Sequence, residues 1–145
     1  MTTGQEEDMN ISVSQKMGSV PVTVISLDGR LDGQNYQELI SKGRELYNSG
    51  VRDVLLDLTQ LSYISSAGMV AFHNIALMVR GENPPSPELG WSAYRSMGRS
   101  GFASGGQEHF KLFNPQPEVE HILDMVGFNT IFKIFTDLDE AVNSF

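Results

Sequence analysis

The chain has 145 residues, of which 40% are hydrophobic, enough for one domain with a single core. Its formal net charge of −8 argues against binding to nucleic acid, because phosphates need a basic surface and the Lys and Arg residues are scattered. Without cysteine the chain can form no disulfide and no Cys-ligated zinc site, which fits a reducing cytoplasm.

The N-terminal segment predicts neither a signal peptide nor a membrane anchor. Residues 1–9 are acidic and polar, which is typical of a disordered tail. No apolar run in the chain reaches the length of a membrane-spanning helix. We therefore expect a soluble cytoplasmic protein that binds neither a membrane nor nucleic acid, with a single domain at residues 10–145.

Two strands are predicted at the start of this domain. Residues 11–17 alternate apolar and polar side chains, and a Gly-Ser pair separates them from a second apolar run at residues 20–27. Pro21 lacks an N–H donor, so we expect it near the start of a strand or on a solvent edge. The glycines and aspartates of residues 28–33 predict that the second strand ends there.

A helix and a buried strand follow. Apolar residues from Tyr36 to Tyr47 recur at helical spacing, and Gly50 suits the end of the helix. Residues 51–58 predict a buried strand, in which Val54, Leu55, Leu56 and Leu58 form a nearly continuous apolar run that is typical of a central strand. A strand–helix–strand unit favours parallel pairing with a right-handed connection, so this strand is predicted to be parallel to the preceding one.

The second helix is predicted from about Ser66 to Arg80, after a short polar turn. Its apolar residues surround most of its circumference, so the helix is either buried or presents part of itself to a partner. Ser65 and Ser66 lie where the helix would begin. Free backbone N–H groups and the positive end of the helix dipole converge at that position.

The remainder of the chain predicts a long loop and then a second pair of strands and helices. Residues 82–109 are rich in Pro, Gly and Ser, and Trp91 within them either anchors a partner contact or belongs to a mobile insertion. The elements predicted after the loop are a strand at 110–113, a helix from Pro117 to Val126, a strand at 131–135 and a final helix capped by Asp137. The order β-β-α-β-α-loop-β-α-β-α predicts an α/β domain with helices packed on a mixed, mostly parallel sheet.

The sequence contains no recognisable catalytic or metal-binding pattern. The histidines, His73, His109 and His121, lack the spacing of metal ligands. Ser66 does not lie in a Gly-x-Ser-x-Gly hydrolase motif, and the glycines match no nucleotide-binding fingerprint. We therefore expect no metal, no cofactor and no enzymatic activity.

The two serines have two interpretations, each of which includes Asp28, Asp32 and Asp57 at the predicted ends of neighbouring strands. In the first, one serine caps the helix and the aspartates cap or turn the chain. In the second, a serine receives a phosphate, which adds about −1.5 to −2 charge without requiring a change of fold. Since no acidic residue occurs in the first helical turn, the helix end is free to receive this charge.

Several segments together resemble the STAS domain of bacterial anti-sigma-factor antagonists. These segments are Leu27–Asp32, Val54–Leu58, Leu61–Met69, Lys111–Pro115 and Val119–Val126. The similarity covers residues 10–81 and 110–145. It implies a STAS fold in which residues 82–109 form an insertion that could add or block a contact.

For function, the resemblance implies a non-enzymatic protein that switches partners. When unphosphorylated, such a protein binds an anti-sigma factor with a histidine-kinase-like ATP-binding fold and thereby frees a sigma factor. The same kinase phosphorylates the antagonist on the serine at the helix start, and a metal-dependent serine phosphatase reverses the modification. Two alternatives remain, a STAS regulatory module of another pathway such as secretion or biofilm control, and a small ligand- or lipid-binding module.

The resemblance also implies which residues form the site. Ser66 matches the phosphoacceptor, and Ser65 is the alternative acceptor because it stands where many family members have Asp. Asp32 matches the acid of the family's Gly-x-Leu-Asp turn, near the partner surface. The implied partner-binding residues are Asp28, Asp32, Ser65, Ser66, Gly68, Met69 and Phe72.

Overall fold

The described parts of the computed structural model are residues 9–84 and 108–145. In chain order the elements are β1 (Asn10–Met17), β2 (Pro21–Leu31), α1 (Tyr36–Asn48), β3 (Val54–Ile64), α2 (Ser66–Val79), β4 (Phe110–Phe113), α3 (Pro117–Met125), a 3-10 helix (Phe128–Thr130), β5 (Ile134–Phe135) and α4 (Leu138–Asn143). The strands form a five-stranded sheet in the order β1-β2-β3-β4-β5. β1 and β2 are antiparallel and the other pairs are parallel, so the predicted α/β class and mixed, mostly parallel sheet are confirmed.

β2 and β3 are both longer than the sequence predicts. β2 continues past residue 27 to Leu31, and β3 continues past Leu58 to Ile64. The two extensions pair in parallel, with register shifts next to Ser26 and next to Gly29, whose φ is 118°. Such irregularities allow a polar, glycine-containing segment to remain in a sheet where its composition suggests a turn.

The aspartates therefore lie in places that differ from the prediction. Asp28 is exposed in the middle of β2. Asp57 lies within β3, where its carboxylate accepts hydrogen bonds from the hydroxyls of Ser26 (3.2 Å) and Thr59 (2.6 Å). Only Asp32 follows the end of a strand, so the prediction of strand-end aspartates is wrong for Asp28 and Asp57.

The main core lies between the sheet and the helices α1, α2 and α3. Phe72 of α2 is fully buried there, and its ring centroid lies 6.3 Å from that of Phe110 and 6.4 Å from that of Phe128. His73 is also fully buried and stacks on Phe128 at 4.8 Å. Since α1 also packs on α2, the body of α2 is enclosed on several sides.

The opposite face of the sheet carries a smaller core under α4. Residues of three elements form it, namely Val22, Val24, Leu55, Ala141 and Val142. Lys111 of β4 is buried on this face, where its Nζ donates hydrogen bonds to the carbonyl (2.8 Å) and hydroxyl (3.0 Å) of Ser144. Burial lowers the pKa of Lys111 below its ordinary value, and the positive charge of Lys133 acts in the same direction.

The two ends of the domain agree with the prediction only in part. Asp137 caps α4 as predicted, accepting a hydrogen bond from the N–H of Glu140 at 2.9 Å. Met9, which was predicted to belong to the disordered tail, is instead buried in the main core. The predictions for residues 1–8 and 85–107, including Trp91, fall outside the described residues. Within the described ranges, no helix is long and apolar enough to cross a membrane.

Candidate functional site

The two serines between β3 and α2 have different structural roles. Ser65 is the N-cap of α2, with an extended backbone (φ −101°, ψ 177°), and its hydroxyl oxygen accepts a hydrogen bond from the N–H of Gly68 at 3.4 Å. Ser66 is the first residue within the helix, and it is exposed. The hydroxyl of Ser66 is not needed for the cap. It is therefore the better placed of the two to receive a chemical group from solution.

The end of β2 determines where this serine pair lies. The N–H of Ser65 donates a hydrogen bond at 3.0 Å to the carbonyl of Leu31, the last residue of β2. Asp32 comes directly after Leu31, and Ser66 comes directly after Ser65. Asp32 and Ser66 are thus each one residue away from the same hydrogen bond, and they share one rim of the sheet.

Asp32 is held in a tight turn that leads into α1. Its carboxylate accepts a hydrogen bond from the N–H of Gln34 at 3.0 Å, and its own N–H donates to the side-chain oxygen of Asn35 at 3.0 Å. Asn35 is buried and donates in turn to the carbonyl of Arg30 at 2.8 Å. These bonds orient the partly exposed carboxylate of Asp32 before any partner binds.

Three of the predicted partner-binding residues face the interior instead. Gly68 is buried, and a Cβ at this position would lie 2.7 Å from Ile64 Cγ1 and 2.8 Å from Leu31 Cγ. The exposed fractions of Met69 and Phe72 are 4% and 0%. The prediction that these three residues contact a partner is wrong, because they face the sheet and anchor the helix from below. Their part in the site is to support the turn that carries Ser66.

A groove of about 440 Å³ opens between the end of β3 and the start of α3. Its lining combines apolar, aromatic and polar side chains, from Ser62, Tyr63, Pro117, Glu118, His121 and Ile122. Since Tyr63 precedes the serine pair by two residues, the groove adjoins the rim that carries Ser66. No local sequence pattern predicts this groove, because its two walls are more than fifty residues apart along the chain.

Charges of both signs surround this rim. The guanidinium carbon of Arg30 lies 4.3 Å from the ring centroid of Tyr63, as in a cation–π contact. Glu118 and Glu120 lie in the first turn of α3. The first turn of α2, by contrast, contains no acidic residue. An anion on Ser66 would therefore meet the positive end of a helix dipole that no side chain of that turn already neutralises.

Comparison with protein families identifies the domain that contains these residues. The family model described as the STAS domain matches residues 13–83, which include Asp32, Ser65 and Ser66. This chain is a STAS-domain protein. A search of curated protein sequences found no significant match.

Solved structures that match this STAS-domain protein include anti-sigma factor antagonists. An antagonist from Mycobacterium paratuberculosis matches with a TM-score of 0.64 and 15% identity, over 95% of this chain and 94% of that one. A putative antagonist from Thermotoga maritima matches with a TM-score of 0.62 and 19% identity, over 89% and 90%. The antagonist SpoIIAA in its unphosphorylated form matches with a TM-score of 0.53 and 18% identity, over 90% and 93%. At these identities the similarity concerns the fold, and the predicted STAS fold is confirmed.

Proposed function

We propose that this STAS-domain protein is a cytoplasmic anti-sigma-factor antagonist that works by changing partners rather than by catalysis. When unphosphorylated, it binds an anti-sigma factor that is also a serine kinase with a histidine-kinase-like ATP-binding fold. Phosphorylation of Ser66 by that kinase releases the antagonist, and a serine phosphatase restores binding. The observation that carries the proposal is that Ser66 is the exposed first residue of α2, beside Asp32, while the hydroxyl of Ser65 serves as the cap.

The switch depends on added charge at a fixed surface. A phosphate adds about −1.5 to −2 charge at pH 7. At the start of α2 the helix dipole favours that charge, so the fold is retained. The oriented carboxylate of Asp32 lies on the same rim, so phosphorylation concentrates negative charge where a partner would approach. A partner surface that fits the neutral Ser66 hydroxyl would then be repelled.

The proposed contact surface follows from exposure. Ser66, Asp32 and the exposed Asp28 would contact the anti-sigma factor directly, and Ser65 would position the first turn. The groove beside Tyr63 extends this surface toward α3. The buried residues of α2 would keep the turn in place and contribute no direct contact.

Variants at Ser66 test the proposal with two readouts. Ser66→Ala and Ser66→Asp would serve as baits in native cell extract, and the captured kinase would then be purified and titrated by calorimetry. We expect Ser66→Ala to bind in the presence and absence of ATP, and Ser66→Asp to bind at least about tenfold more weakly, a loss of about 1.4 kcal/mol. Equal affinities of the two variants would contradict the proposal.

Phosphopeptide mapping assigns the acceptor serine. After incubation with the purified kinase and ATP, we expect modification at Ser66 in the wild type and none in Ser66→Ala. Ser65→Ala is the matched control, because it removes a neighbouring hydroxyl that is engaged in capping, and it should still be phosphorylated. Modification of Ser65 alone, or of neither serine, would refute the assignment.

The two alternative functions of a STAS domain predict different outcomes in these experiments. A STAS module of a secretion or biofilm pathway would capture a partner that is not associated with a sigma factor. A small ligand- or lipid-binding module would use the groove lined by Tyr63, Pro117 and Ile122. Its ligand would raise the melting temperature of the wild type, and Ile122→Asp would abolish that shift without changing phosphorylation of Ser66.

A further inference from the structure

β1 forms a long open edge of the described sheet. It has eight residues, Asn10–Met17, and pairs with β2 along its whole length without a register shift. The strand at the other edge, β5, has only two residues. Proteins usually protect edge strands with short length, proline, bulges or several charges. β1 has no proline and no bulge, and its only charged residue is Lys16.

Hydrogen bonds show which backbone groups of β2 face β1. The N–H of Thr23 donates to the carbonyl of Asp53 at 2.9 Å, so the backbone groups of Thr23 point toward the β3 side. Successive residues of a strand direct their backbone groups to alternate sides. The groups of Val22 and Val24 therefore point toward β1.

The same alternation fixes the outward-facing groups of β1. Ser14 and Lys16 are opposite Val24 and Val22, so their N–H and C=O groups bond to β2. The alternate residues of the strand direct their N–H and C=O groups away from the sheet, and these residues are Ile11, Val13, Gln15 and Met17. The edge thus presents a regular row of backbone donors and acceptors.

Two of these residues also expose apolar side chains. Val13 is 39% exposed and Met17 is 76% exposed, whereas most large apolar side chains of the described residues are buried. Both belong to the row of side chains that lies on the main-core face of the sheet, as do Ile25 and Leu27. A strand added at this edge would satisfy backbone groups and cover apolar surface at the same time.

We propose that the occupant of this edge is β1 of a second copy of the chain, in antiparallel orientation around a two-fold axis at Ser14. The two sheets would join into one continuous sheet. In this register Val13 lies opposite Gln15 of the second copy, and Ile11 lies opposite Met17 of the second copy. Each of these pairs consists of residues with outward-facing backbone groups, as a hydrogen-bonded antiparallel pair requires. The proposal does not depend on the proposed function.

The charge and the backbone register of β1 both permit pairing with a second copy. The net charge of −8 on the whole chain makes two copies repel each other, but β1 contains none of the Asp and Glu residues. Lys16 would lie opposite Ser12 of the second copy, so no like charges oppose each other. A slip of one residue would place outward-facing groups of one copy against inward-facing groups of the other, so the alternation itself excludes it.

Cysteine cross-linking tests the register directly, because the chain has no cysteine of its own. Ser14→Cys would place two thiols in a non-hydrogen-bonded pair with Cα atoms about 4.5 Å apart, within disulfide reach. Ser12→Cys is the matched control, since its two copies would lie roughly 14 Å apart along the strands. We expect Ser14→Cys to form a reducible dimer at least about tenfold faster. Equal rates, or no cross-link in Ser14→Cys, would overturn the proposal.

Sedimentation equilibrium tests association in the native sequence. The N–H of Val13 points outward, so Val13→Pro removes an edge donor without breaking a bond to β2. We expect the wild type to dimerise with increasing concentration and Val13→Pro to remain a monomer with native circular dichroism. If the proline variant does not fold, Val13→Lys replaces it as a charged edge variant. A wild type that stays monomeric up to about 1 mM, or a folded edge variant that still dimerises, would refute self-pairing.

Discussion

In α2, Ser66 of the first turn is exposed, whereas all residues from Gly68 to Val79 are buried. A backbone hydrogen bond from the N-cap Ser65 attaches the start of this helix to the end of β2, and side-chain packing encloses its body. A charge added to Ser66 would therefore meet solvent, the helix dipole and Asp32, but not the core. The difference in exposure between the first turn and the body of α2 indicates that a surface switch and a rigid support can occupy consecutive turns of one helix.

Removing the aromatic side chain of Phe72, in the buried body of α2, should have the largest effect on stability. Phe72→Ala would leave a cavity between α2, Phe110 and Phe128, and we expect the free energy of unfolding to fall by about 3–5 kcal/mol. Urea denaturation followed by circular dichroism measures this loss. Met125→Ala is the control, because Met125 is 72% exposed and its replacement should change stability by less than about 0.5 kcal/mol. Similar losses in both variants would show that the body of α2 is not the rigid support.

A smaller loss of stability is expected from a substitution at Gly68, where the first turn of α2 meets its buried body. In Gly68→Ala the new methyl group would overlap the buried side chains of Ile64 and Leu31, at a cost of about 1–3 kcal/mol that exceeds the gain of about 1 kcal/mol in helix propensity. Gly33→Ala is the matched control, since nothing lies within 4 Å of its Cβ position. Thermal unfolding should distinguish the two variants. A Gly68→Ala protein as stable as the wild type would mean that the first turn can move away from the sheet.

The sequence predicts the parts of this fold that depend on local patterns. The helical spacing of α1, the start of α2 at Ser66 and the cap at Asp137 are all confirmed. The continuation of β2 and β3 is not predicted, because parallel pairing keeps the polar residues near Gly29 in the sheet although their composition favours a turn.

The candidate site shows the same limit at the level of single residues. Ser65 and Ser66 could not be told apart by residue type, because their roles depend on the one position at which the helix begins. The inward orientation of Phe72 could not be predicted from a helix that is apolar on nearly all sides, because such a pattern does not indicate which side faces the sheet. For the same reason the burial of His73 against Phe128 becomes evident only in the structure.

Ser65→Ala should have an effect of about 0.5–1 kcal/mol on stability, because the N-cap hydrogen bond to Gly68 is lost and its 3.4 Å length indicates a modest bond. Ser65→Asp preserves a cap acceptor and should be close to the wild type. Chemical denaturation of the two variants beside Ser66→Ala measures the difference between the serines. If Ser66→Ala proves to be the more destabilising of the two alanine variants, the roles assigned to Ser65 and Ser66 must be exchanged.

The smallest change in stability is expected for Ser66→Asp, which tests whether a charge on Ser66 can act without disturbing the fold. Ser66→Asp places a negative charge at the start of α2, and the helix dipole should offset repulsion from Asp32, so we expect stability to rise or fall by less than about 1 kcal/mol. Ser66→Asn is the control, because the asparagine side chain has nearly the same shape as aspartate but carries no charge. Melting temperatures at low and high salt measure the electrostatic part, which should shrink as salt screens exposed charges. If Ser66→Asp alone unfolded the domain, its weaker partner binding would reflect lost structure, and the proposed independence of first turn and body would be refuted.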